Sequence, residues 1–180
     1  MSPEDPLAPS IRYRWTVLVM LTLVYTFNFI DRQILVILQE PIKADLGLSD
    51  AQLGLLSGFS FALVYVTAGI PIAWLADRGN RRNIVAVSLG FWSFMTALSG
   101  LAQNYGQLLA ARIGVGIGEA GGSPPSHSMV SDYFPAKQRG TALSFYSTGI
   151  YIGILIGFAA GGWIAETFGW RVAFFLVGVP

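Results

Sequence analysis

The sequence contains no cysteine and very little charge. Without cysteine there is no disulfide framework, no thiolate metal site and no cysteine nucleophile, and the redox compartment stays open. Asp, Glu, Lys and Arg make up 12% of the 180 residues, against roughly 25% in an ordinary soluble domain. That shortage excludes a water-facing globule, which needs polar surface to cover it, but suits a chain solvated by lipid. The formal net charge is only +1, and the basic residues are scattered through loops rather than alternating with aromatics in a stripe. Nucleic acid is therefore not an expected partner. No zinc-ligand cluster and no G-x-S-x-G motif occurs, so neither metal nor cofactor is expected. Ser126-His127-Ser128 invites comparison with a hydrolase, but neighbouring residues on one helix point in different directions and make no nucleophile–base pair. The chain is not expected to be an enzyme. A channel or a structural membrane subunit remains as a class, although a channel would carry a hydrophilic stripe along a whole helix, and only isolated charges appear.

Hydrophobic residues are present in quantity, at 53%, and 21 glycines lie mostly inside apolar runs. In a bilayer, glycine lets helix backbones approach closely. Residues 1–14 are polar, carry three prolines and read as a disordered cytoplasmic lead. Five apolar stretches follow, at about residues 15–38, 53–75, 84–102, 108–130 and 141–164. Each approaches the ~20 residues that a helix needs to cross a bilayer. A sixth starts near Trp170 and reaches the end of the sequence after roughly half a crossing. The expectation is an all-α membrane protein with five full transmembrane helices and a truncated sixth. Ser49-Asp50-Ala51-Gln52 has the form of a capping box opening the second helix. Gln103-Asn104-Tyr105-Gly106 and Phe134-Pro135-Ala136-Lys137-Gln138 punctuate helices three, four and five. Loop charge sets the orientation. With the N-terminus inside, Arg12, Arg14, Arg78, Arg81, Arg82, Lys137 and Arg139 are cytoplasmic, against Lys43 and Arg171 outside. Tyr13, Trp15, Trp74, Tyr105, Trp163 and Trp170 fall near the expected interfaces.

Ionisable residues within the apolar runs carry the most information, since each costs about 2.5–3.5 kcal/mol at mid-helix on insertion scales. Asn28, Asp31 and Arg32 lie on helix one, and Arg112 and Glu119 on helix four. Arg112, Gly116 and Glu119 are four and three residues apart and share a face that can point into a cavity. Buried carboxyls beside an arginine suit a proton-coupled carrier. Static ion pairs that fix helix register are the alternative, and Arg112 lies close enough to the outer interface to snorkel. His127 follows Pro124-Pro125 and reads first as a helix-end residue, with a proton relay as the alternative. Gly121-Gly122-Ser123-Pro124-Pro125 predicts a kink or hinge in helix four. Gly149, Gly153, Gly157 and Gly161 recur every four residues, as a packing stripe on helix five. Tyr25, Phe29, Tyr65, Tyr146 and Tyr151 are candidates for a cavity lining or for plain packing.

Several motifs carry a family resemblance. Ala73-Trp74-Leu75-Ala76-Asp77-Arg78-Gly79-Asn80-Arg81-Arg82 resembles the major facilitator signature loop, G-x-L-A-D-R-x-G-R-[KR], with Ala73 and Asn80 in place of its two glycines. The segment from Arg112 to Gly118 resembles the helix-four motif R-x-x-x-G-x-G. Residues 132–140 and Gly169-Trp170-Arg171-Val172-Ala173-Phe174 are similar to the family's next loop and the start of its sixth helix. The resemblance covers the chain from Trp15 onward and implies that residues 15–180 are the incomplete N-terminal six-helix half of a major facilitator transporter. Asn28-Phe29-Ile30-Asp31-Arg32, together with Glu119, is similar to the Spinster-like branch. This likeness implies Asp31 and Glu119 as proton-coupling sites. Arg32 would then partner Glu119 or an anionic head group, with Asn28 and Arg112 as further substrate or charge partners. It also implies that Asp77, Arg78, Arg81 and Arg82 form a cytoplasmic gating network. The expected function is proton-coupled secondary active transport, by alternating access, of a small amphipathic or anionic solute, with a lysolipid as one candidate. An organic-anion or sugar-acid symporter is the rival within the superfamily. Expected partners are a small-molecule substrate, protons, the lipid bilayer and the missing C-terminal half. Compact loops and a short N-terminus fit a multi-pass protein of a bacterial inner (plasma) membrane.

Overall fold

A computed structural model describes residues 9–179; most of the expected disordered lead, residues 1–8, lies outside them. Ser10 caps the first helix by accepting the Tyr13 amide, so α1 (Ile11–Ile37) begins a turn before the apolar run does. Arg12 and Arg14 are thus helical. Leu38 turns the chain into α2 (Gln39–Leu46), which ends at Gly47 with φ of 63°, a left-handed conformation that favours glycine. The capping box at Ser49 and Gln52 forms as expected and opens α3 (Asp50–Gly54). One π turn over Leu55–Phe59 carries α3 into α4 (Ser60–Arg78), so the second crossing is one helical run with a local widening. Asn80 caps α5 (Arg81–Ser99), and Asn104 caps α6 (Tyr105–Ala120). The fourth crossing then breaks. The glycines at 121 and 122 leave the helix, and the prolines at 124 and 125 sit in the first turn of α7 (Ser123–Tyr133), where their missing amides are not needed. Pro135 starts α8 (Ala136–Phe168), and Gly169, at φ of 84°, swings the chain into α9 (Trp170–Val177).

Among the described residues, three runs are long and apolar enough to cross a membrane: Ile11–Ile37, Asp50–Arg78 and Ala136–Phe168. Helix α5, with 19 residues, and α6 with α7 complete the five expected crossings. Helix α5 opens on the polar Arg81-Arg82-Asn83, and the break at Gly121-Gly122 divides the fourth crossing into two shorter helices. The 33 residues of α8 make ~50 Å at 1.5 Å per residue, well beyond a ~30 Å hydrocarbon layer. Lys137 and Arg139 therefore fall on an overhanging end.

Helix α1 lies along α8, α6 is wedged between α4 and α5, and α9 closes against α5, α8 and α1. The α1–α8 seam is the glycine stripe. Cβ atoms added at Gly149, Gly153, Gly157 and Gly161 would lie 2.8, 2.5, 2.8 and 2.5 Å from atoms of α1. The packing role of the stripe is borne out. Two apolar cores form at opposite ends of the bundle. Leu18, Leu21, Val130, Phe134 and Tyr146 belong to one, and Ile34, Leu38, Leu56, Leu108 and Phe174 to the other. On α1 the layer between them is polar, with Thr22, Thr26, Asn28 and Asp31 all buried. The outer surface is studded with exposed Leu63, Val66, Ile70, Leu155, Phe158 and Trp163, which require an apolar solvent or partner.

At the far end α9 is stapled to α2. Asp45 accepts Arg171 Nη1 at 2.5 Å and the indole Nε1–H of Trp170 at 3.2 Å, while Arg171 Nη2 donates to the Ala102 carbonyl at 3.2 Å. Trp170, expected as an interfacial ring, is 5% exposed and belongs to the core. Its polar atom is satisfied by Asp45 rather than by water.

Two outcomes test this packing. Gly153→Ala places a Cβ 2.5 Å from the Thr26 carbonyl and should lower stability by about 1–3 kcal/mol. Gly162→Ala, with nothing within 4 Å, should be neutral; thermal unfolding in detergent reads both. The hydrogen bond from Arg171 holds the Asp45 carboxyl below its ordinary range. Its stabilisation is therefore complete above the ordinary aspartate pKa and is lost as pH falls through the depressed one. Wild type should lose stability in that acid window relative to Asp45→Asn, as read by unfolding curves at a series of pH values.

Candidate functional site

The buried charges of α1 and α6 meet in two ion pairs. Asp31 Oδ1 accepts Arg112 Nη1 at 3.0 Å, and both side chains are 3% exposed. The Thr96 hydroxyl of α5 donates to the other oxygen, Oδ2. Arg32 Nε donates to Glu119 Oε2 at 2.7 Å. Two acids meet two bases, so the layer is neutral as a whole. An uncompensated charge in such an interior costs several kcal/mol, which pairing removes.

Register explains the arrangement. Asp31 and Arg32 are neighbours on α1 and diverge by about 100°, whereas Arg112 and Glu119 stand two turns apart on one face of α6, ~10 Å along its axis. One bridge reaches toward each end of α6. Glycines set the rotation of that helix. Cβ atoms at Gly114 and Gly118 would lie 2.7 Å from Met95 and 2.8 Å from Trp92 on α5, while Gly116 faces Phe61 and Val64 on α4. With those faces committed, Arg112 and Glu119 turn toward α1. Arg112 does not snorkel as the sequence allowed; it is 3% exposed, because the Asp31 carboxylate lies closer than the interface.

Arg32 differs from the other three charges. Its side chain is 29% exposed while that of Glu119 is fully buried. The guanidinium also lies 5.2, 5.0 and 5.1 Å from the rings of Phe29, Phe61 and Tyr65, a cation–π cage that holds the charge without neutralising it. Phe29 and Tyr65 were cavity candidates, and both surround the site. Tyr25 and Tyr146 stack at 4.4 Å beside Asn28. Tyr151 faces outward, 74% exposed. Four buried polar atoms have no partner among the described residues: Asn28 Oδ1, Ser93 Oγ, Arg112 Nε and Glu119 Oε1.

Three contributors escaped sequence reasoning: Thr96, Phe61 and Trp92. A signal for Thr96 existed, since Ser88, Thr96 and Ser99 recur on the buried face of α5 in an otherwise apolar run. Nothing in sequence singles out Phe61 among twelve phenylalanines. Ser126 and His127 are not partners. The Ser126 hydroxyl donates to the Gly122 carbonyl at 2.7 Å, and His127 Nδ1 lies 2.9 Å from the Ser123 carbonyl.

The loop between α4 and α5 departs from expectation. Asp77 makes no ion pair with the arginines beside it; Arg81 pairs with Asp132 of α7 instead. Arg78 lies 4.0 Å from the Trp74 ring. Asp77, Arg81, Arg82 and Asp132 border one open depression of about 330 Å³. The acid that Arg81 pairs with thus comes from α7.

A model of the Major Facilitator Superfamily matches residues 21–180. The chain belongs to that superfamily. An MFS-type efflux pump of Mycolicibacterium smegmatis is 40% identical over 167 residues, covering 93% of this chain and 39% of the pump. The probable galactarate/D-glucarate transporter GudP of Bacillus subtilis is 35% identical, over 97% of this chain and 39% of GudP. A crystal structure of a bacterial homologue of the human lysosomal transporter Spinster, inward-facing and occupied, superposes with a TM-score of 0.88 at 41% identity. It covers 96% of this chain and 43% of that one. The chain thus spans about two fifths of the length of these relatives. This major facilitator chain is an integral membrane protein, and its relatives are transport proteins rather than enzymes.

Removing one member of the buried pair should be worse than removing both. Arg112→Ala leaves Asp31 charged and unpaired and should cost about 3–5 kcal/mol. Asp31→Ala combined with Arg112→Ala should recover part of that loss in equilibrium unfolding.

Proposed function

We propose that the chain forms the N-terminal half of a proton-coupled secondary transporter for a small organic anion, working by alternating access with a C-terminal half. The observation that carries this is the asymmetry of one ion pair: Arg32 is 29% exposed and Glu119 is not exposed at all. An anion arriving in the cavity can reach Arg32 but not Glu119. While Glu119 is charged, it occupies Arg32. A proton on Glu119 removes the charge that binds the guanidinium, and Arg32 then takes the carboxylate of the solute. Proton and anion thus bind together, which is the condition for symport. Asp31, held by Arg112 and Thr96, is the second carboxyl able to take a proton. Its release from Arg112 would loosen α1 from α6 and α5 in the same layer.

Sugar acids are supported as the solute by the names of several relatives. Beside GudP these include the probable L-galactonate transporter of Escherichia coli, 32% identical over 93% of this chain. A lysolipid is the second reading. It is favoured by the apolar rings of Phe29 and Phe61 beside Arg32 and by the Spinster homologue. The positive-inside rule supports a cytoplasmic N-terminus in a bacterial inner membrane. Asp77, Arg78, Arg81 and Arg82 then sit on the cytoplasmic face, where Arg81–Asp132 can break and re-form as a gate.

Proteoliposomes holding the chain with its C-terminal half, under an inward pH gradient, test these proposals. Labelled glucarate uptake should depend on the gradient, and Glu119→Gln and Asp31→Asn should each reduce gradient-driven uptake by at least tenfold. Lysophospholipid uptake with glucarate excluded would transfer the substrate to the second reading. Flux indifferent to both substitutions would leave the buried pairs purely structural.

A further inference from the structure

Asn28 stands one turn before Asp31 and Arg32 on α1, at i and i+3, i+4, so its azimuth falls between theirs on the face turned to α6. It is 2% exposed, and its Oδ1 has no hydrogen-bond partner. Glu119 Oε1 on α6 is likewise buried and unpartnered. Trp92 packs beside Asn28 and against the chain that flanks Glu119. It lines one chamber with Asn28, and Cβ atoms at Gly118 and Gly122, on either side of Glu119 in the chain, would lie 2.8 and 3.2 Å from it. Tyr25, Ser126 and Tyr146 complete the lining of that narrow chamber. The hydroxyl of Ser126 is committed to the Gly122 carbonyl.

Two acceptors left without donors inside a membrane are each costly. A single proton resolves both, because it makes Glu119 a donor. We propose that Asn28 is the positioning residue for the protonated form of Glu119, its Oδ1 accepting the Oε1–H of the neutral acid. This rests on the proton-coupled function proposed above and assigns the partner of the proton. The proton comes from the aqueous side and binds Oε1; the charge-assisted bond from Arg32 to Oε2 weakens, and no other bond changes. Asn28 then holds the acid turned toward α1 while Arg32 is released to the solute. The charged and titratable groups around Glu119 are Arg32 and Asp31 from α1, Arg112 from α6, and Tyr65 from α4 beside Arg32. Helix α5 presents Trp92, Ser93 and Thr96, none of which titrates in this range. Tyr25, Tyr146 and His127 lie on the far side of the chamber.

The chain together with its C-terminal half, in lipid nanodiscs, allows a direct test by isotope-edited infrared titration of the glutamate carboxyl, with Glu119→Gln identifying its band. Asn28→Leu should lower the midpoint of Glu119 protonation by about half to one pH unit, roughly a three- to tenfold loss of proton affinity, the value of one hydrogen bond. Asn28→Ser, which keeps an acceptor, should stay nearer to wild type. Asn28→Ala gives the same comparison by removing atoms only, should leucine not fit. An unchanged midpoint in the leucine and alanine variants overturns the proposal. A raised midpoint overturns it too, because the amide would then be donating to the carboxylate. Both results leave proton coupling at Glu119 intact. A Glu119 band that never protonates sinks the assignment and the coupling together.

Discussion

Charge in a membrane interior must be paired, and the bundle is organised around that requirement. Asp31 and Arg32 on α1 demand two opposite charges at fixed positions, and Arg112 and Glu119 supply them from α6. Because the partners stand two turns apart, α6 can satisfy both only at one rotation and one height. Its glycines hold that rotation by admitting α5 and α4 to within backbone distance on its other faces. The apolar cores at each end then stabilise a geometry that the charges have specified. Cores alone tolerate slippage of a turn, whereas a slipped ion pair leaves two bare charges.

The two pairs are not equivalent. Asp31 is held by Arg112 and by a hydroxyl from α5, deep among three helices. Arg32 is held by one carboxylate and three aromatic rings, at the edge of the bundle. Rings attract a cation without removing its charge, so Arg32 does not depend on its carboxylate alone. One pair thus resembles a fastening and the other a contact that can be exchanged. Proximity to the open face, rather than residue type, makes the difference.

Much of this was legible in sequence. Apolar length placed five crossings, and the structure moves their ends by up to about five residues where caps lie outside the apolar run, as at Ser10, Asn80 and Pro135. The capping box at Ser49 survives unchanged because it depends on neighbours within one turn of chain, and the glycine repeat on α8 was legible from its regular spacing although its partner α1 is distant in sequence. The identity of the four buried charges was also visible, because nothing local justifies them in lipid. Their pairing was visible only through a family resemblance for Arg32 and Glu119. Arg112 was legible as a charge partner but not separable from a snorkelling residue, because the two differ only in what lies across from the side chain. Long-range partners decided the remaining differences: Asp132 took Arg81, and Asp45 took Trp170 and Arg171. No window of sequence contains both members of those pairs.

The sequence separation of the ion pairs bears on how the protein is made. Asp31 is 81 residues ahead of Arg112, and Arg32 is 87 residues ahead of Glu119. During synthesis α1 therefore enters the insertion machinery two crossings before its counter-charges exist. At that stage adjacent Asp31 and Arg32 have only each other and local water. Helix α1 then carries two charges without their final partners, although it later becomes one of the most enclosed. Its long partner α8 arrives later still, so the first helix to be made is among the last to be locked. Cellular quality control would encounter this protein chiefly as an α1 waiting for α6.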